Sequence, residues 1–374
     1  MANKHIIVVG GGVMGACVTY YLSLHNNIRV TVIEKTCIAC NSSGKAGGFL
    51  AYNWSDDTPL GDLSRKSFKL HEELATELDG ENKYGYRKVN TYSILYQKES
   101  SLRKESNNKK QEKDILTPWI DTSGIRHMEQ LGNTSDTAQV HPRLFTETLF
   151  ETAKQKDNVT LQIGFGVSHV IIDDNEQLKG VELNNGEIIQ GDAVVICMGP
   201  WSGQLPILKV PIDGQRAHSI VFKPKTSIPP QMLFTTILDG TQTHHPEDGT
   251  IYMCGATDNS KLPSSADQIQ VESKAIEVLE RLRDTLAPEL YDNKNEELIA
   301  KQACYLPISE DGTAFVGIYP KYNKQVLLAA GHSCWGILQA PATGLMITEL
   351  LVNGKISCVD KDAVEALDPT DRCC

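Results

Sequence analysis

The sequence predicts an α/β fold, α+β once its middle is included. Three observations carry this. At the start, a β-branched run meets three glycines and a helical pattern ("HIIVVGGGVMGACVTYYL", residues 5–22). Near the other end a second strand, glycine turn and helix follow one another ("QVLLAAGHSCWGILQAPATGLMITELL"). Between them, Val159–Met198 and much of 215–257 read as successive strands.

Taken in order, Lys4–Val9, Val13–Leu24 and Arg29–Glu34 spell strand, helix, strand, a βαβ unit. A Gly/Ser-rich loop, "CNSSGKAGGF", occupies 40–49. Leu60–Leu78 carries Leu63, Phe68, Leu70, Leu74 and Leu78 at helical spacing. Residues 97–114 mix both charge signs with almost no apolar content, which predicts an exposed loop or frayed helix. Pro142–Lys156 and Val271–Leu286 read as helices, and "AVVICMGPWSG" (193–203) as a buried strand entering a turn. If the two glycine-punctuated units share a domain, the middle leaves it and returns, so a second lobe is made of insertions. The boundaries expected are 1–55, 141–205 and 300–374 for the discontinuous domain, and 56–140 with 206–299 for the inserted one.

A chain of 374 residues can bury a large core. Its formal net charge of −11 argues against a nucleic-acid partner or an anionic membrane surface. No apolar run approaches the length of a membrane span, and Ile6–Val9 is too short for a secretory signal. Ten cysteines without scaffold spacing predict reduced thiols and a cytoplasmic protein.

In a G-x-G-x-x-G turn the first glycine permits tight bending and the second lets backbone approach a pyrophosphate. The third lets helix pack on strand, and the helix N-terminus faces the phosphates. Gly10, Gly12 and Gly15 hold those places, and Glu34 stands where an acid accepts from a ribose hydroxyl, with Lys35 beside it. The acid disfavours a 2′-phosphate and hence NADP. NAD and FAD separate on the far end of the chain. A flavin ring gains negative charge on reduction, and a helix N-terminus stabilises it. "APATG" offers such a helix, with Pro341 in its first turn after Gly331–Gly336.

The motifs "IIVVGGGVMG…VTVIEK", "SSGKAGG", "VHPRLFTETL", "VVICMGPWSG", "CYLPISEDGTAFVG" and "GHSCWGILQAPATG" resemble, in order, the FAD-dependent oxidoreductases typified by D-amino-acid, glycine and sarcosine oxidases. The likeness spans nearly the whole chain and is weakest in the middle. It is closest to an uncharacterised eukaryotic branch sharing "GKAGGFLA", "YGYR" and "GHSCWGI". The resemblance implies a glutathione-reductase-type FAD-binding Rossmann domain with an inserted antiparallel-sheet substrate domain. It implies FAD as cofactor, a small-molecule amine or amino-acid-like substrate oxidised at a C–N bond, and O2 or another acceptor to reoxidise the flavin. By the same likeness Gly10, Val13, Met14 and Gly15 contact the pyrophosphate, and Ser42, Ser43, Lys45, Gly47 and Gly48 run along pyrophosphate and flavin. Val167 touches adenine, Gly199 and Trp201 pass the ribityl region, and Gly331, His332, Ser333, Cys334, Trp335, Gly336 and Ile337 line the ring. Cys304 falls where sarcosine oxidases bond the flavin covalently, although a packing cysteine is the favoured reading.

Four side chains are catalytic candidates. Lys45 could place a cation where O2 is reduced. His332 could bond flavin or substrate. Tyr252 and Tyr305 could line the substrate cavity. "CIAC" (Cys37–Cys40) does not open a thioredoxin-like helix and is not read as a dithiol centre. "THHP" (His244, His245) reads as a polar turn, and no metal site is expected. The final Cys373 and Cys374 read as an unmodified tail, with peripheral attachment to endomembranes the alternative if both are prenylated.

Glycine oxidases hold the substrate carboxylate with an arginine where this chain has Leu306, and carry another where Cys334 and Trp335 stand. A carboxylate buried there without a partner costs several kcal/mol. Either Arg216 or Arg87 enters from the middle, or the substrate has no carboxylate at that point. The alternative to an enzyme is a flavoprotein of vestigial catalysis with a binding or regulatory role.

Overall fold

The computed structural model describes residues 4–97, 120–225, 227–237, 241–244, 250–288 and 298–373. The charged stretch beyond Gln97, His245 and Cys374 lie outside them. Strand β1 (Lys4–Val9) is apolar on both faces, so it sits inside a sheet, with Ile6–Val9 at most 3% exposed. It pairs in parallel with β2 (Ile28–Glu34) and β12 (Ala193–Ile196). Adding β8 (Val159–Ile163), β19 (Val326–Ala330) and the antiparallel edge β18 (Phe315–Ile318) gives six strands in the order β18-β19-β12-β1-β2-β8.

One face of that sheet carries α1 (Val13–Ser23), α5 (Pro142–Lys154) and α7 (Gly336–Asn353), which share a single apolar core with α3 (Gly61–Glu77). The other face is covered by a three-stranded sheet of β9 (Val167–Ile172), β10 (Leu178–Leu183) and β11 (Ile188–Gln190). A seven-stranded sheet stands beside this body. Its order is β17 (Ala300–Ser309), β13 (Ile212–Phe222), β16 (Ile251–Asp258), β15 (Thr241–His244), β14 (Gln231–Ile237), β5 (Asn90–Tyr96) and β6 (Ile125–Gly132). Only the β14–β5 pair is parallel. Helix α6 (Ser273–Leu286) buries Ile276 and Leu279 against it. A small sheet of β3 (Phe49–Ala51), β7 (Thr137–Gln139) and β4 (Arg87–Lys88) bridges the two bodies. The short helices are α2 (Ser42–Lys45), α4 (Gly80–Tyr84) and α8 (Lys361–Leu367).

Several elements differ from the sequence expectation, each for a physical reason. Residues 61–84 pack in the core of the six-stranded sheet rather than in the inserted part, because Leu63, Phe68 and Tyr84 join that core. Conversely, 300–309 belongs to the seven-stranded sheet, where β17 pairs with β13 along ten residues. Helix α7 starts at Gly336, so Pro341 lies inside the helix and not in its first turn. Proline lacks the amide that would bond the Ile337 carbonyl, and His71 supplies the missing donor. Ser333–Asn353 is long and apolar enough to cross a membrane, contrary to expectation, but it is largely buried between other elements. Cys37 and Cys40 are bridged by a disulfide rather than reduced; Ala39, at φ +54°, turns the chain so that their Cα atoms lie 5.5 Å apart. His244 ends β15 instead of opening a turn.

At the C-terminal end, Arg372 pairs with both Asp311 carboxylate oxygens and donates to the Ala314 and Ala366 carbonyls. Its guanidinium lies 3.9 Å from the Phe315 ring centroid. Cys373, next to it, is 7% exposed and packs in the second core.

Candidate active site

A cavity of about 1100 Å³ runs from the carboxyl end of β1 and β2 to the face of the seven-stranded sheet. Ligands of α/β sheets bind at such a strand-end crevice. The glycines at its mouth are dictated by sterics. Gly10 has φ +117°, and a Cβ there would lie 2.3 Å from the Cys197 carbonyl oxygen. A Cβ on Gly15 would lie 2.0 Å from the Gly10 carbonyl, so Gly15 packs α1 on β1 and is absent from the lining. Gly12, Val13 and Met14 do line it, and the Val13 amide donates to Ser43 Oγ at 2.9 Å. The Glu34 carboxylate accepts from the Gly11 amide at 2.6 Å and the Thr36 amide at 2.8 Å. Lys35 donates to the Ser264 carbonyl at 2.8 Å and also faces the cavity.

The α2 loop is clamped to β17. Asn41 accepts from the Tyr305 amide and donates to its carbonyl, at 2.8 and 3.0 Å, and Ser42 donates to the same carbonyl. Lys45 Nζ donates to the Ala303 carbonyl at 2.9 Å, and burial lowers its pKa from the usual lysine value. Tyr252 donates to the Lys45 carbonyl at 2.7 Å. Gly47 and Gly48 follow along the wall, as do Val167, Gly199 and Trp201, whose indole donates to the Pro263 carbonyl at 2.7 Å.

Strand β17 alternates. Cys304 and Leu306 face the cavity, so Tyr305 faces away and donates to the Lys261 carbonyl at 2.9 Å. Tyr305 is therefore not a cavity residue. Burial pushes the Cys304 thiol up to about 11 despite Lys45 and Ser42 beside it. At the turn after β19, Gly331 has φ +86°, and residues 331–337 all line the cavity. His332 is 4% exposed, its Nε2 lies 3.1 Å from Thr343 Oγ1, and its Nδ1 has no partner. Burial takes its pKa down to about 3, so the ring is neutral across the physiological range.

Neither arginine offered by the sequence reaches the cavity. Arg216 faces the opposite side of β13 and is held by Asp258 at 2.8 Å and the Gln270 carbonyl at 3.0 Å. Arg87 donates to Gln139 Oε1 at 2.8 Å. Phe49, Trp54 and Phe234 line the cavity and were not singled out by sequence. Phe49 and Trp54 lie in and just after the Gly/Ser-rich loop, and Phe234 lies on a strand of the inserted part, so no single motif brings them together.

A fold with this crevice, glycine turn and second helix terminus defines a dinucleotide-dependent oxidoreductase class. The family model described as FAD dependent oxidoreductase matches residues 5–350, and the chain belongs to that family, the DAO family. A protein of Schizosaccharomyces pombe named as a candidate oxidoreductase is 30% identical over 395 residues, covering 98% of both chains. Glycine oxidase of Geobacillus kaustophilus is 23% identical, covering 92% of each. Its crystal structure superposes with a TM-score of 0.81 at 20% identity over 98% of each chain. L-proline dehydrogenase of P. horikoshii gives 0.79 at 22%, over 99% of this chain and 97% of that one.

The chain is thus a flavoprotein that uses FAD, and its residues fit that group. The cavity is larger than most single-ligand clefts. Gly10, Gly11 and Gly12 present bare backbone to its nucleotide end, and the buried, unpartnered His332 Nδ1 awaits a bond at the wall.

Proposed function

We propose that this chain oxidises a C–N bond of an amine or amino-acid-like metabolite. FAD, when bound, supplies a two-electron acceptor. The substrate carbon loses a hydrogen with its electron pair and the nitrogen loses a proton. The resulting imine takes up water and splits to a carbonyl compound and an amine, while O2 or another acceptor removes the two electrons. The observation that carries the reading is the continuity of one cavity from Gly10–Met14, past Gly331–Ile337, to an apolar chamber.

In this reading Gly12, Val13, Met14 and Ser43 hold the pyrophosphate, and Glu34 takes the ribose. The α7 N-terminus, with Gly336 and Ile337 in the cavity lining, would stabilise negative charge on a reduced flavin ring. Lys45, also in the cavity lining, would offer a positive charge to the O2 that reoxidises the flavin. Leu306, Cys334 and Trp335 offer a carboxylate no guanidinium, so the preferred substrate is a secondary or larger amine. Glycine and D-alanine are then poor substrates. The test is anaerobic mixing of the holoprotein with a broad amine library, reading loss of flavin colour. Bleaching by at least one amine without a neighbouring carboxylate supports the reading. If no amine bleaches it, the flavoprotein is a binding or regulatory one, as the absent guanidinium would also suit.

A further inference from the structure

The cavity has one wall with a character its glycine end lacks. Phe49, Trp54 and Phe234 touch one another there, with ring centroids 4.8, 5.2 and 5.0 Å apart. Trp335, from the turn before α7, stands 6.5 Å from Trp54 nearly edge-on. All four rings are only half-buried, although three of them already pack together. Core aromatics of this chain, such as Phe68 and Phe145, are at most 2% exposed. Half-open rings inside a cavity leave apolar faces that a ligand can cover.

The charges around the cavity point the same way. Among its described lining residues there is no arginine, the lysines are Lys35 and Lys45, and the acid is Glu34. Lys35 is tied to Ser264 and Glu34 to the glycine turn, at the nucleotide end. Lys45 already donates to Ala303. Leu306 contributes an apolar group on the neighbouring strand wall. A carboxylate against the rings would be desolvated without a bidentate partner, whereas an aryl or branched alkyl group would bury area at no such cost.

We infer that Phe49, Trp54, Phe234 and Trp335 form a specificity subsite for the apolar body of the substrate, a secondary amine bearing an aryl or branched alkyl group and no carboxylate. This rests on the amine-oxidation reading and narrows its substrate class. The subsite is a platform rather than a cage, because the first three rings are in mutual contact. It therefore selects apolar area over positive charge.

The test titrates the FAD-loaded protein with N-methylbenzylamine and with N-methylglycine. Binding is read by quenching of tryptophan fluorescence and by the shift of the flavin spectrum, and bleaching is followed separately without oxygen. N-methylbenzylamine is expected to bind at least about tenfold more tightly, the margin one well-placed ring contact supplies. Phe234→Ala and Trp54→Leu are each expected to erase most of that margin, and Phe234→Leu and Trp54→Phe to keep part of it should the first pair not fold. Equal or tighter binding of N-methylglycine, or variants that leave the ratio unchanged, would overturn the subsite. Binding in the expected order with no bleaching by any amine would uphold the subsite and overturn only the amine-oxidation reading.

Discussion

His71 donates its Nε2 hydrogen to the Ile337 carbonyl at 2.9 Å, from a helix 266 positions earlier in the chain. A carbonyl only accepts, so the proton sits on Nε2. That carbonyl is the one orphaned by Pro341, and the next amide, Ala342, donates to Ser67 Oγ at 3.0 Å. Helix α3 thus repairs the proline gap in α7, which lets α7 run unbroken up to the cavity.

The repair is pH-dependent. Burial lowers the His71 pKa to about 4, from 6.5 in an open chain, outweighing the carbonyl bonds that raise it. The unfolded chain therefore binds the proton first as pH falls. Stability conferred by neutral His71 is complete above pH 6.5, declines on acidification and is gone below about 4, a change on the order of 3 kcal/mol. Melting temperatures of wild type and His71→Asn between pH 4 and 7 check this. The variant should start less stable, with its carbonyl unpaired, and show a shallower slope.

Gly12→Val should give folded, colourless protein. A Cβ there lies 3.1 Å from Ser43 Oγ, so the fold can adjust, but the side chain fills the approach to the pyrophosphate. Circular dichroism and visible absorbance on one preparation separate loss of flavin from loss of fold.

Acid precipitation should release all of the flavin. A bond to Cys304 needs its thiolate, and burial holds the thiol near 11. Flavin that stays with the pellet and shifts a Cys304 peptide by mass would reverse this expectation.

Lys45→Met should slow reoxidation of the reduced flavin by O2 by about 10²-fold, the usual cost of one electrostatic partner. Reduction by dithionite should be unaffected. Stopped-flow mixing of the reduced protein with oxygenated buffer gives the rate.

The nucleotide half was legible because its signals are local. Gly10, Gly12, Gly15 and Glu34 sit in one short βαβ unit, where spacing alone fixes who meets whom. What stayed illegible depends on partners far away. Pro341 looked like a first-turn residue because its complement, His71, cannot be found without the packing of α3 on α7. Tyr305 looked available because the side it faces is set by pairing of β17 with β13 and by the Asn41 clamp. The aromatic wall joins Phe49 and Trp54 to Phe234 and Trp335 from distant parts of the chain, and although Trp335 was visible in its turn, its meeting with the other rings was not.

The contact between α1 and α7 joins segments far apart in the sequence. A Cβ on Gly344 would fall 2.7 Å from the backbone and Cβ of Cys17, so α1 and α7 meet backbone to backbone. β1, likewise, needs β12 from the middle of the chain beside it, and β12 needs β19. A nascent polypeptide therefore displays its glycine turn on the ribosome long before the opposite wall exists. Gly10–Met14 and Gly331–Ile337 line one cavity from opposite ends of the sequence, so the complete cofactor site is an outcome of folding and not a preformed local motif.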